Sequence, residues 1–228
     1  MLIRTIDENQ PEEWFASGFG RWVRAQELRY CRRMSEDAFG YFALQMGLCR
    51  QPSLLRAPIR NRLSVGDGGN ITADLSALPF AADSVDFILL AHALESSHSP
   101  HAVLREAARV LRPQGRLLII GFNPWSLLGA RISRMPWRDN WISLLRLRDW
   151  LTLLDMAVIE GRFTAFLPPH DKNNRKRWGW MEKAGRRWWP LGGGVYLVSA
   201  QKTTVGIHHV GKLHRLPIWR ARHANRPT

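Results

Sequence analysis

The chain has 228 residues, of which 45% are hydrophobic and 23% are charged, and this composition is typical of a single globular domain. Its longest apolar stretches, around 87–94 and 117–122, are far shorter than the roughly 18 residues that a membrane-spanning helix needs, so we expect no integral membrane protein. The first residues are acidic and contain no apolar stretch, so we expect no signal peptide and a cytoplasmic location. The spacing of the two cysteines, Cys31 and Cys49, matches no metal site and predicts reduced thiols.

The positive charge of the chain is regional. The net charge is +14, and residues 172–187 contain seven basic residues against one acidic residue. Residues 201–228 add six basic residues and no acidic ones. The rest of the chain is nearly neutral, so the basicity is added onto an ordinary globular body.

The chain divides into three parts. Residues 1–40 predict a helical N-terminal extension, residues 41–202 the main domain, and residues 203–228 a basic, flexible tail. Within the extension, the candidates for burial are Trp14, Phe15, Trp22, Val23 and Leu28.

The most readable part of the main domain begins at Val85. The run VDFILLAHALE is typical of a strand that is buried on both faces of a parallel sheet. Ser99 and Pro100 predict the start of a helix, and Pro113 with Gly115 predict its end. The apolar face of this helix is expected to contain Val103, Leu104, Ala107, Ala108 and Leu111. Since RLLIIGF then reads as another buried strand, we expect a βαβ unit with parallel neighbouring strands.

The remaining elements are less regular. The pattern predicts a helix over 144–154, a strand over 156–163 and a last strand at VYLVSAQ. A basic, tryptophan-rich insertion, residues 164–194, separates the two strands. Upstream, RLSVGDGGNITA predicts either a hairpin of two short strands or the loss of one strand, because a parallel crossover needs a dozen or more residues.

The string ADLSALPFAADSVDFILLAHALE, followed by VLREAARVLRPQG, resembles the class I S-adenosylmethionine-dependent methyltransferases of the type 11 branch. The motif GFNPWS is similar to one in a small group of bacterial methyltransferases without an assigned substrate. The resemblance implies a doubly wound, mostly parallel α/β sheet of the Rossmann-like methyltransferase fold, with a degenerate first half. It also implies S-adenosylmethionine as the cofactor and an unidentified methyl acceptor.

The resemblance also assigns the cofactor residues. Asp74 corresponds to the acid that accepts a hydrogen bond from the adenine amine, and Leu75 offers a backbone group and an apolar wall. The alternative for Asp74 is a turn-capping role before LSALPF. Leu90 and Ala91 fall near the carboxyl end of their strand, where open α/β sheets place ligands.

The first half departs from the family pattern. Instead of G-x-G-x-G, the sequence has YFALQMGLCRQPS, in which Gly47 is the only glycine. Asp67 is the nearest candidate for the acid that grips the ribose hydroxyls, although GDGG is also typical of an ordinary turn. Gly47 and Asp67 complete the predicted cofactor set.

Two residues are candidates for the acceptor side. His92 is the titratable group at the end of its strand, and it either contacts substrate as a base or is a structural histidine. Asn123 in FNPW either lines the cleft or belongs to a turn that Pro124 and Trp125 fix.

The basic insertion suggests a second function. Between Lys172 and Trp189, basic residues alternate with tryptophans, a combination that suits RNA or another anionic ligand. The alternatives are tryptophans buried against the sheet, or a peripheral membrane contact. We expect no metal site, although histidines of the tail could hold a metal loosely: His208, His209 and His214. The sequence therefore predicts a methyltransferase, with a non-catalytic nucleic-acid-binding relative of this fold as the alternative.

Overall fold

The computed structural model of the protein describes residues 14–49, 57–126, 140–166 and 192–203. The basic stretch from Lys172 to Trp189, nearly all of the tail and residues 1–13 lie outside the described residues. The predictions made for those segments, including the division into 1–40, 41–202 and 203–228, stay predictions. Within the described ranges, no helix is long and apolar enough to cross a membrane.

The centre of the molecule is a six-stranded mixed sheet with the order β2-β1-β3-β4-β6-β5. The strands are β1 (Phe42–Met46), β2 (Asn61–Val65), β3 (Val85–Ala91), β4 (Leu111–Phe122), β5 (Met156–Thr164) and β6 (Val195–Lys202). Strands β1 to β4 pair in parallel, whereas β6 is antiparallel to both β4 and β5. The predicted fold class, a mostly parallel α/β sheet, is confirmed.

Helices cover both faces of the sheet. They are α1 (Gly18–Met34), α2 (Pro100–Val110) and α3 (Leu144–Leu153). On one face, α1 packs in a core that includes Val23, Leu89 and Ile120, and on the other face α2 and α3 pack in a core that includes Leu104 and Leu147. Of the candidates for burial in the extension, Phe15 and Val23 are fully buried, and Trp14, Trp22 and Leu28 are partly buried.

The predicted βαβ unit, β3-α2-β4, is present, with two local differences. Leu111 is not on the face of α2 but is the first residue of β4, because the helix already ends at Val110 and β4 begins before the predicted break at Pro113. Ser99 stands at the N-cap position, but its side chain makes no capping hydrogen bond, and the start of α2 depends on Pro100 instead.

The hairpin prediction for RLSVGDGGNITA is wrong, and the loss of a strand is what the structure shows. Strand β2 pairs with β1 in parallel, from Phe42 opposite Asn61 to Met46 opposite Val65. Of the second segment, only Ile71 pairs, through a single parallel bridge to Val65. Residues 66–70 are too few for a helical crossover, so this side of the sheet ends in one bridge residue.

Two side chains of α2 anchor the LPF loop. Glu106 Oε1 accepts from Leu78 N at 2.8 Å, and Arg109 donates to Phe80 O at 2.9 Å and to Glu106. The Arg109 hydrogen bond is the largest influence that lowers the pKa of Glu106, followed by burial, which opposes it, and then by the Leu78 amide. The co-occurrence of LPF and LREAARVL in the sequence is therefore explained by the hydrogen bonds that hold the loop on helix α2.

We expect Arg109→Ala to lower the free energy of unfolding by about 1–2 kcal/mol, because it removes charge-assisted hydrogen bonds to the loop at Phe80. Arg105→Ala is the matched control, since Arg105 lies on the same helix and is exposed. Urea unfolding of both variants measures the difference. Equal losses in the two variants would contradict the anchoring role.

Candidate functional site

Strands β1 and β3 are parallel neighbours inside the sheet, so their carboxyl ends lie side by side. From β1 the chain continues to β2 on one side, and from β3 it continues to β4 on the other side. Such a switch in direction opens a crevice beyond the strand ends, and open α/β sheets bind their ligands there. The predicted site residues all follow, or lie at, the ends of these four strands.

Gly47 holds the ends of β1 and β3 close together. Its φ is +80°, and a Cβ at this position would lie 2.6 Å from Ala91 O and 3.0 Å from Ala93 Cα. A side chain is therefore excluded by space as well as by backbone conformation. Leu90 and Ala91 are fully buried and pack in the cores on the two faces of the sheet.

The ends of β1 and β2 meet around Cys49. Its thiol donates to Val65 O at 3.2 Å, and neither Cys31 nor Cys49 forms a disulfide. A Cβ on Gly66, whose φ is +133°, would lie 3.5 Å from Cys49 Sγ and 3.9 Å from Leu75 Cδ2. Gly66 thus leaves a small space bordered by Cys49 and Leu75.

Two exposed carboxylates follow β2. Asp67 comes directly after Gly66, and Asp74 lies three residues beyond the bridge at Ile71. Asp74 Oδ1 accepts from both the amide and the hydroxyl of Ser76 at 2.8 Å, and these bonds lower the pKa of Asp74. One oxygen of Asp74 thus has the turn-capping role that was the alternative to adenine binding, and the side chain remains exposed.

His92 lies in a buried cluster of charged groups. It adopts φ +52°, is 2% exposed, and places Nε2 at 3.0 Å from Glu27 Oε1 of α1. Its Nδ1 lies 3.6 Å from Glu95 Oε1. The rings of Phe122 and Phe15 are centred 4.3 Å and 5.0 Å from the imidazole, so the cluster is packed in aromatic surroundings.

The two glutamates keep His92 protonated. Burial by itself lowers the pKa of an imidazole, but the charges and hydrogen bonds of Glu27 and Glu95 outweigh it and raise the pKa of His92 to about 9. At neutral pH the ring is therefore an imidazolium that donates to Glu27. A protonated ring has no lone pair for a general base, so this arrangement favours the role of a fixed cation.

Glu95 connects the loops on the β3 and β4 side. Its Oε1 accepts from Phe122 N at 2.5 Å, and its backbone carbonyl accepts from Asn140 Nδ2 at 3.2 Å. The sequence reasoning missed both Glu27 and Glu95. Glu95 follows His92 by three residues, a spacing that places it in the same turn, but no local pattern indicates a partner as distant as Glu27.

Asn123 lies where β4 ends. It is 5% exposed, its Nδ2 donates to Gly193 O at 3.0 Å, and its Oδ1 accepts from Trp125 N at 3.1 Å. These bonds fix the turn and tie it to the segment before β6. Trp125, in contrast, is 82% exposed.

Comparison with known proteins shows the family to which the chain belongs. Residues 50–119 match the family model described as a methyltransferase domain. The uncharacterized protein YafS of Escherichia coli is 30% identical over 210 residues, which cover 86% of this chain and 83% of YafS. The chain belongs to the class I S-adenosylmethionine-dependent methyltransferases of the type 11 branch, in the same family as YafS.

Other similarities are either shorter or lower in sequence identity. The ubiquinone/menaquinone biosynthesis C-methyltransferase UbiE of Shewanella is 37% identical over 68 residues, which cover 30% of this chain and 27% of that enzyme. Among solved structures, a possible histamine N-methyltransferase of Thermotoga maritima has a TM-score of 0.62 at 16% identity, covering 86% of this chain and 95% of its own. Geranyl diphosphate C-methyltransferase of Streptomyces coelicolor has a TM-score of 0.56 at 16% identity, covering 88% and 86%. These structures share the fold of this methyltransferase.

S-adenosylmethionine is the cofactor of this family, and the described residues fit it. The observation that bears on the fit is at the ends of β1 and β2: Gly47 packs against Ala91 and Ala93 with no room for a side chain, and Gly66 leaves room for a methyl-sized group beside Cys49 and Leu75. The exposed carboxylates of Asp67 and Asp74 follow on the same side of the switch point, and carboxylates accept from hydroxyl and amine donors. The narrower likeness indicated by GFNPWS stays a prediction.

The His92 cluster makes the stability of this methyltransferase depend on pH. The pKa of His92 is about 9 in the folded protein and about 6.5 when unperturbed, so the folded state binds this proton more tightly. The contribution to the free energy of unfolding is complete below pH 6.5 and is lost as the pH rises through 9. We therefore expect the wild-type free energy of unfolding, measured in urea at constant ionic strength, to fall between these values.

Two variants isolate this effect. His92→Gln cannot be protonated and is expected to lose this part of the pH dependence, whereas His98→Gln, at an exposed position, is expected to keep it. The same slope in the wild type and in both variants would refute the assignment to His92.

Proposed function

We propose that this methyltransferase binds S-adenosylmethionine in the crevice between β1 and β3 and transfers the methyl group to an acceptor beside His92 and Asn123. The observation that carries the proposal is the close approach of Gly47 to Ala91, because it stands where the family has its glycine-rich loop. The acceptor side follows from the chain direction, since the loops after β3 and β4 form the other half of the crevice.

Each predicted cofactor residue has a role in this proposal. The Gly47 backbone borders the methionine part, Asp67 accepts from the ribose hydroxyls, and Asp74 accepts from the adenine amine. Asp74 Oδ1 is already bonded to Ser76, so this role falls to the rest of the carboxylate. The apolar walls of the proposed site are Leu75, Leu90 and Ala91.

The bound cofactor would supply an activated methyl group on a sulfonium. The chain then has to orient the acceptor and exclude water rather than provide a strong nucleophile of its own. The buried charges of Glu27, His92 and Glu95 suit this task, because their mutual bonds fix the loops after β3 and β4. Asn123 fixes the second of these loops through Gly193.

We expect Asp74→Asn to weaken binding of S-adenosylhomocysteine about tenfold or more, because an amide places a donor where the adenine amine needs an acceptor. The amide oxygen can still accept from Ser76, so the turn is preserved. Asp149→Asn, at an exposed position on α3, is the matched control and should bind like the wild type. Titration calorimetry measures the affinities, and an unchanged affinity of Asp74→Asn would remove the adenine assignment.

Thermal unfolding with S-adenosylhomocysteine tests the function as a whole. At a ligand concentration of 100 times Kd, binding adds roughly 2.7 kcal/mol to the free energy of unfolding and raises Tm by a few degrees. No rise at millimolar ligand would contradict cofactor binding. In that case the nucleic-acid alternative would be tested next, by the salt dependence of RNA binding. No contact among the described residues favours nucleic-acid binding over catalysis, and the segment Lys172 to Trp189 lies outside them.

A further inference from the structure

Three aromatic side chains are exposed in the turn that leads from helix α1 into strand β1. Phe39, Tyr41 and Phe42 are 89%, 72% and 43% exposed, and the stretch 39–42 is termed the aromatic turn below. Single exposed apolar residues are common on protein surfaces, but a cluster of them in one turn is typical of an interaction site. The aromatic turn lies at the amino end of β1, whereas the candidate functional site lies at the carboxyl ends of the strands.

The backbone of the aromatic turn is held in one conformation. Gly40 adopts φ +143°, and a Cβ at this position would overlap the side chain of Asp86. Asp86 Oδ2 accepts from the amides of Tyr41 and Phe42 at 2.7 Å and 3.0 Å. Arg112 Nη1 donates to the other oxygen of this carboxylate at 2.9 Å. The turn therefore presents its aromatic rings from a fixed backbone.

Exposed arginines lie beside the aromatic turn in two places. They are Arg32 and Arg33 in the last turn of α1, and Arg60 and Arg62 at the start of β2. The second pair flanks Asn61, which is the partner of Phe42 in the sheet. Among the described residues, none of the four forms a salt bridge. Glu36 and Asp37 are the acids of the stretch 32–42, so the arginines outnumber them by four to two.

Exposed aromatic rings beside arginines suit two kinds of anionic partner, a single-stranded nucleic acid and a lipid surface. Proteins that bind single strands usually hold the backbone in a basic groove and stack the bases on aromatic side chains that line it. Phe39 does not line a groove, because a side chain that is 89% exposed has almost no neighbours. A projecting ring suits a planar surface instead, since aromatic side chains insert among lipid headgroups while basic residues meet the lipid phosphates.

The hydrogen bonds of the turn also favour a lipid surface. Peptide N–H groups that enter a bilayer interface lose water, and an unsatisfied group there is costly. The amides of Tyr41 and Phe42 already have Asp86 as their acceptor. Burial opposes the ionisation of this carboxylate, but the two amides and Arg112 outweigh burial and lower the pKa of Asp86. The acceptor is therefore charged at neutral pH and comes from the protein itself.

We propose that the aromatic turn and its neighbouring arginines bind an anionic membrane surface. Phe39 and Tyr41 lie in the headgroup region in this arrangement, and the arginines lie against lipid phosphates. The net charge of the chain, +14, agrees with attraction to such a surface. The contact is at the opposite end of β1 from the proposed cofactor crevice, and it does not depend on the proposed function.

Sedimentation of the full chain with vesicles at physiological salt tests the proposal. The anionic vesicles contain phosphatidylcholine and phosphatidylglycerol in equal parts, and vesicles of phosphatidylcholine alone are the neutral reference. We expect the wild type to prefer the anionic vesicles, and Phe39→Ser/Tyr41→Ser to bind them about tenfold more weakly, because two rings no longer leave water. Leu145→Ser/Leu153→Ser removes two exposed leucines of α3 and is the matched control, which should bind like the wild type.

A second variant tests the charges and leaves the rings in place. Arg32→Gln/Arg33→Gln is expected to bind the anionic vesicles about tenfold more weakly, since each basic residue near an anionic surface contributes to binding. Urea unfolding of all variants is expected to match the wild type, because the substituted side chains are exposed. If the double aromatic variant is less stable, Phe39→Ser alone takes its place, since Phe39 has the fewest contacts to lose.

Three results would overturn the proposal. The first is no binding of the wild type to anionic vesicles. The second is equal binding by the wild type and Phe39→Ser/Tyr41→Ser, which would assign the attraction to other basic residues of the chain. The third comes from titrating the same proteins with a single-stranded oligouridine: if the aromatic variant loses only this binding and keeps vesicle binding, the turn contacts nucleic acid instead.

Discussion

The buried interaction of His92 with Glu27 and Glu95 is the constraint on which the loops after β3 and β4 depend. Three ionisable side chains are removed from water at the end of β3, and each is tolerable only because the others are there. The cluster joins helix α1 on one face of the sheet to the loops on the other side of the crevice. Because the loops are fixed through Glu95, their positions depend on charge pairing as well as on apolar packing.

The side of the switch point that we propose for the cofactor depends on backbone packing rather than on buried charge. Here backbone approach and small residues decide the shape: Gly47 has no room for a side chain, and Gly66 leaves space beside Leu75. The side that we propose for the acceptor, around His92 and Phe122, is polar, aromatic and charged. This division suits methyl transfer, in which one ligand brings its own activation and the other has to be selected and oriented. The family and fold establish the methyltransferase, whereas the acceptor has to be identified from the polar half.

Much of the second half of the sheet was predictable, because its signals are local. The apolar run of β3, Pro100 at the start of α2 and the run RLLIIGF lie within one βαβ unit, and the structure confirms them. The first half was less predictable. The hairpin interpretation failed because GDGG is compatible with several turns. Only the tertiary structure shows that β2 pairs with β1 in parallel, and that the next segment pairs through Ile71 alone.

The sequence by itself determined the fold class, the family and the strand ends at which we propose that ligands bind, because hydrophobic periodicity and turn residues act over a few neighbouring positions. It also placed His92 at one of those ends. Only the tertiary structure decided what surrounds His92, since Glu27 is 65 residues away in the chain and meets it by packing of α1 on the sheet. The same holds for Tyr196, whose side chain occupies the space beside Gly121 because β6 runs antiparallel to β4. Contacts between distant segments have no local pattern, and the chemistry of this site consists of such contacts.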